Sequence, residues 1–290
     1  MKLIFVHGRS QEDFEEAVLK ETWIESFKRG LAKSGLTLPN DVTIEFPYYG
    51  KLLKQLVDEA QKPLESTNVT RSGYKPTESE EIQFFESFLG EIALNSDLTE
   101  SEKQEIRRLS EQERGILNWE FVHKIVGYLD TKGYFASTLL KKFTLDVFLY
   151  LNIHDIKKQI NQKVESVFDE EPCVVVGHSL GSIVSYLVLL NNPNLHVKKF
   201  ITLGSPLGMN SIRKHLEHKR MPACVKNGWY NAYDERDFIA LKPLNKVNFN
   251  IRPEIENSNH VDNFTDNRHG IVGYLEDKVV SKEIYKYLQK

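Results

Sequence analysis

Residues 174–182 read VVVGHSLGS, and this stretch constrains the fold more than any other. Its β-branched residues, with Cys173 ahead of them, form a short strand, and the apolar run Ile183–Leu190 has the character of a helix. Between the two stands one serine, with Gly177 two positions before it and Gly181 two positions after. A sharp turn from strand to helix crowds its neighbours, so small residues are needed at those places. The turn would push the Ser179 hydroxyl out to where a base and a substrate can reach it. A serine hydroxyl is a poor nucleophile until a base removes its proton. The serine would also stand at the N-terminus of the next helix, where the Leu180 amide and the helix dipole can stabilise an oxyanion.

The rest of the chain keeps the same rhythm. Leu3–Val6 reads as a first strand, and Glu12–Ser34 has helical spacing through Phe14, Val18, Phe27 and Leu31, with Trp23 one step off the stripe and Gly35 as a C-cap. Val42–Phe46 alternates as a strand and Leu52–Ala60 is helical. After the turn-rich QKPLESTNVTRSGYKPTES, residues 77–151 carry several helical runs and no β-rich one, with Thr99 and Glu102 at capping-box spacing. Then Asp155–Phe168 (helix), Cys173–Gly177 (strand), Leu180–Leu190 (helix) and Lys199–Leu203 (strand) alternate. Ile212–Leu216 begins a short helix, Trp229–Tyr233 and Val247–Ile251 are strands, and Ile271–Leu288 is a final helix. This alternation predicts an α/β fold with a mostly parallel sheet covered on both faces. Residues 1–76 and 152–290 would form its core, and 77–151 an inserted helical cap.

Composition narrows the function classes. A formal net charge of −3 offers no sign of a clustered basic face for nucleic acid. Two cysteines, Cys173 and Cys224, do not make a disulfide framework, and no Cys/His cluster at zinc spacing is present. Cys173 begins an apolar run and belongs in the core. The apolar run after Lys2 is too short for a signal-peptide core, and no stretch approaches the length of a membrane span. The expectation is a soluble, cytoplasmic protein, with transient membrane contact left open and nothing to identify a protein partner.

With a strand before it and a helix after it, G-x-S-x-G resembles the nucleophile elbow of the α/β-hydrolase fold, lipase/esterase type. FVHGRS, LGSPLG, NAYDERDFIA and HGIVGYL follow that pattern in order, outside the insert. The chain is also similar to bacterial hydrolases that start FVHGR and carry YYG or FYG after the second strand. The resemblance implies a three-layer sandwich of about six strands, without the first two strands of the full fold. It further implies a triad in the chain order serine, acid, histidine. For the acid, Asp237 is preferred over Asp234, which would cap the turn. For the histidine, His269 before the last helix is preferred over the mid-loop His260. The second oxyanion donor would come from the loop after the first strand, through the amide of Arg9 or of Ser10. The Arg9 side chain would be solvated or hold an anionic substrate group. His178 completes the elbow as a structural residue, and Gly8, Ser205 and Pro206 would line the pocket.

The implied activity is hydrolysis of a carboxylic ester through an acyl-enzyme, with a small-molecule or lipid ester as substrate and no metal or organic cofactor. A phospholipase or acyltransferase would use the same triad. A binding scaffold with an idle triad is the contrasting reading, and the complete Ser179, Asp237, His269 set argues against it.

Overall fold

The computed structural model describes residues 1–8, 15–62, 76–96, 98–112, 119–131 and 137–289. Its centre is a six-stranded sheet, every neighbouring pair parallel: β1 (Lys2–Val6), β2 (Thr43–Glu45), β3 (Cys173–His178), β4 (Val197–Leu203), β5 (Trp229–Ala232) and β6 (Glu256–Ser258). The spatial order is β2-β1-β3-β4-β5-β6. The chain thus works outward from β1 to one edge, then crosses over to β3 and continues to the other edge. This is an α/β architecture consistent with the α/β-hydrolase fold.

The strands alternate between two cores. Leu3, Phe5, Val174, Val176, Ile201 and Leu203 face one side, where α1 (Glu16–Ala32), α10 (Ile271–Leu275) and α11 (Lys278–Lys286) cover them. Ile4, Val6, Cys173, Val175 and Phe200 face the other. That side carries α2 (Gly50–Gln61), α7 (His154–Glu165), α8 (Leu180–Asn191) and the short α9 (Asn210–Arg213). A strand buried on both faces needs apolar residues at every position, which is why β1 and β3 read as continuous runs.

Four further helices lie between β2 and β3: α3 (Glu78–Asn95), α4 (Glu100–Gln112), α5 (Trp119–Thr131) and α6 (Ser137–Asn152). Capping boxes start α3 and α4, with Thr77 and Glu80 in one and Thr99 and Glu102 in the other. The apolar faces of α3, α5 and α6 merge with the core on the α8 side of the sheet. The α3 carboxylate of Glu91 accepts the N–H groups of Asn210 (2.9 Å) and Ser211 (2.7 Å) and pairs with Lys242. These bonds fasten α3 to the segment that follows β4.

Three sequence expectations are corrected. Val247–Ile251 is not a strand: the Asn245 side chain accepts the N–H groups of Val247 (3.0 Å) and Asn248 (3.1 Å), which closes a turn. Phe249 instead plugs the core against Tyr186 and Trp229, and the polar ENS segment makes the last strand. Val18 is 59% exposed, because the buried stripe of α1 runs through Leu19, Trp23, Phe27 and Leu31. The final helix is two, because Asp277 accepts the N–H groups of Val279 and Val280 and starts a new helix. Phe14 lies outside the described residues.

Candidate active site

The C-terminal ends of β1, β3, β4 and β5 converge on Ser179. Its backbone has φ 55° and ψ −127°, a conformation rarely adopted by a residue with a side chain. The turn holds because Ser179 N–H donates to Leu203 O (3.1 Å) and because its neighbours are small. A Cβ on Gly181 would lie 2.2 Å from Val6 O, and one on Gly177 would lie 2.8 Å from Gly181 O. Leu180 opens α8, and the first amides of a helix have no intrahelical acceptor.

Ser179 Oγ lies 2.8 Å from His269 Nε2, and His269 Nδ1 lies 2.7 Å from Asp237 Oδ2. The carboxylate fixes the tautomer: Nδ1–H donates to Asp237, which leaves Nε2 to accept from the serine hydroxyl. Asp237 is fully buried, and an ionised carboxylate is costly there unless its oxygens are satisfied. Oδ1 accepts the N–H groups of Ile239 (2.9 Å) and Ala240 (3.3 Å), and Oδ2 also accepts the Tyr274 hydroxyl (2.6 Å). Ser179 and His269 are themselves only 3% and 9% exposed, so the whole relay is screened from bulk water.

Asp234 makes different contacts. Asp234 Oδ1 accepts Arg236 N–H (2.8 Å), Oδ2 accepts Asn263 N–H (2.7 Å), and Arg268 Nη1 lies 3.7 Å from Oδ2. It therefore ties the turn bearing Asp237 to the loop bearing His269. Arg268, directly before His269, has φ 53°. His260 is exposed.

Two buried histidines frame the site. His178 Nε2–H donates to the His269 carbonyl (2.8 Å), and the two rings are 4.8 Å apart. Burial, reinforced by His269, holds the His178 imidazole well below the ordinary histidine value, so it is a neutral brace. His7 donates from Nδ1 to Gly8 O (2.7 Å) and accepts Tyr49 N–H at Nε2 (3.0 Å). The Tyr49 hydroxyl donates to the His7 carbonyl, and the two rings stack at 4.1 Å. Burial pushes His7 down to about 4. These contacts shape the chain after β1 and set Gly8 against the serine, where a Cβ would lie 2.7 Å from Ser179 Cβ. Arg9 and Ser10 lie outside the described residues.

Ser205 reaches the elbow from beneath. Its Oγ lies 2.7 Å from Ser182 Oγ, which donates to Ser179 O (2.6 Å). Pro206 begins the 3₁₀ turn Pro206–Gly208. On the other side, the Phe143 ring in α6 stands nearly perpendicular to His269, with centroids 6.5 Å apart, and Phe88 backs it at 5.8 Å. Sequence reasoning missed Tyr274, Tyr49 and Phe143 as neighbours of the site. The only local signal for Tyr274 is its place shortly after His269. Among the described residues, no group of three or more His, Cys, Asp or Glu side chains is placed to hold a metal ion, and no helix is long and apolar enough to cross a membrane.

No curated protein and no solved structure matches the chain. A family model does match, over residues 137–269, a stretch that includes Ser179, Asp237 and His269. Across that stretch the chain is similar to the PGAP1-like alpha/beta domain, a hydrolase-like domain of the lipase/esterase type.

Proposed function

We propose that the protein is a serine hydrolase that cleaves carboxylic esters. The observation that carries this reading is the continuous relay from Ser179 Oγ through His269 to Asp237, at 2.8 and 2.7 Å, starting from a strained serine at a helix N-terminus. Ser179 Oγ attacks the ester carbonyl carbon while His269 Nε2 takes its proton. The resulting oxyanion accepts a hydrogen bond from the Leu180 amide. Collapse breaks the ester C–O bond while His269 gives its proton to the departing oxygen, which leaves as the alcohol. Water then repeats the sequence on the acyl-enzyme and releases the acid. Asp237 orients the imidazole and stabilises its charged form throughout.

The residue 77–151 block serves as the cap over this site, and Phe143 supports that role because its ring stands beside His269. An apolar wall at the reacting centre favours an acyl or lipid-like ester over a small polar one.

The test is labelling with a fluorophosphonate probe, followed by hydrolysis of p-nitrophenyl esters of graded chain length. Wild type is expected to label and to turn over, and Ser179→Ala to do neither while keeping its fold. Loss of the nucleophile in a Ser-His-Asp enzyme lowers turnover about a millionfold. Full activity in Ser179→Ala would remove Ser179 as the nucleophile.

A further inference from the structure

One oxygen of Asp237 takes two hydrogen bonds from a single short stretch of chain. Oδ2 faces His269 Nδ1 at 2.7 Å and the Tyr274 hydroxyl at 2.6 Å. The tyrosine oxygen in turn accepts Asp234 N–H (3.2 Å), which both aims and polarises the hydroxyl. All three groups pack on Gly204, which has φ +55°. A Cβ there would come within 3.1 Å of Asp237 Oδ2, 3.1 Å of Tyr274 Cε2 and 3.2 Å of His269 Cε1.

We infer that Tyr274 is a positioning residue for the relay: its hydroxyl takes part of the charge on Asp237 Oδ2 and fixes that oxygen against His269 Nδ1. This rests on the hydrolase reading above. An oxygen with two donors divides its charge between them, and removing one leaves the imidazole as the sole side-chain donor. The imidazolium form then gains stability, while the base step needs the neutral form. The acid limb of the rate profile moves to higher pH. The freed carboxylate oxygen also loses a constraint on its rotation, so the imidazole is aimed less well.

Among the described residues, the groups around the pair are few. Ser179 and His178 face His269 from the end of β3, and Asp234 and Asp237 lie in the turn after β5. Arg236 and Arg268 pair with Asp234, and α6 brings the apolar Phe143 ring. Replacing the tyrosine by phenylalanine alters none of these side chains. Burial, and then the charge of Asp237, keeps the Tyr274 hydroxyl protonated, so it remains a donor across the working range.

The experiment compares wild type, Tyr274→Phe and Ser179→Ala in two ways. One is the rate of fluorophosphonate labelling against pH. The other is the low-field proton resonance of His269 Nδ1–H, identified by its loss in His269→Gln. Tyr274→Phe is expected to label about tenfold more slowly, with the acid limb about half a unit higher in pH and the resonance moved further downfield. A fluorotyrosine at position 274, a stronger donor of similar shape, is expected to move the limb and the resonance the opposite way. An unmoved limb and resonance in both variants, whatever happens to their unfolding temperature, overturns the inference. If wild type takes no label, the hydrolase reading fails, and the resonance still decides whether Tyr274 acts on the His269–Asp237 pair.

Discussion

His7 gives the protein an acid-labile joint whose strength follows from its surroundings. The imidazole is fully buried, donates to Gly8 O and accepts from Tyr49 N–H. Burial penalises the charged ring, outweighing the bond to Gly8 O, so the folded state takes up a second ring proton only near pH 4, against an ordinary value of 6.5. The unfolded chain takes it up near the ordinary value. Stability is therefore complete above pH 6.5 and falls as the pH drops towards 4, because the unfolded state binds the extra proton first. A gap of about 2.5 pH units at about 1.4 kcal/mol each amounts to about 3 kcal/mol, of which about 2 kcal/mol is gone by about pH 5. The assay is urea unfolding at a series of pH values, for wild type and for His7→Asn, which cannot titrate. Other groups contribute to both slopes and cancel in the comparison. The variant is less stable at neutral pH but should lose less stability on acidification, by about 2 kcal/mol between about pH 7 and about pH 5. Parallel curves would refute the reasoning.

Two further tests separate neighbouring roles. Asp237→Asn is expected to lower turnover of a p-nitrophenyl ester about ten-thousandfold, as loss of the triad carboxylate does elsewhere. Asp234→Asn should lower it by less than about tenfold and act through the unfolding temperature, since it anchors Asn263 and Arg268 and does not touch the imidazole. A larger loss in Asp234→Asn than in Asp237→Asn would reverse the assignment. Phe143→Ala removes a buried ring at a cost of about 3–5 kcal/mol in stability. It should also shift preference towards longer or bulkier acyl chains, and an unchanged chain-length profile would limit Phe143 to packing.

The elements that were legible in the sequence share one property: their signal is local. VVVGHSLGS reads as strand, turn and helix because the apolar runs and the two glycines sit within a few residues of one another. His269 and Asp237, which the structure brings together with Ser179, could be picked out as candidates because chain order and position relative to strands restrict the choices. The failures came where tertiary packing overrides a local pattern. Val247–Ile251 alternates like a strand, yet Asn245 folds it into a turn and Phe249 is needed as a plug beneath Trp229. The polar ENS of β6 pairs with β5 through its backbone, with Asn231 Nδ2 donating to Asn257 Oδ1 (3.0 Å), and no hydrophobic pattern marks it. Tyr274 reads as one more aromatic on an apolar helix, because nothing in the order of residues shows that its hydroxyl meets a carboxylate 37 positions away. The bond from Tyr49 N–H to His7 is equally invisible, since it spans 42 positions and joins a loop to a strand end.

The bond from His178 to the His269 carbonyl has a consequence for timing. The loop carrying His269 is held to the elbow at two points: through the imidazole to Ser179, and through the backbone to the residue next to Ser179. Two attachments on adjacent residues remove the hinge that a single hydrogen bond would leave. On the hydrolase reading, the entropy of bringing base and nucleophile together is then lost once, when the chain folds, and not again at each turnover. A substrate arriving at Ser179 would meet a pair already aligned, and its binding energy would be left for placing the acyl group.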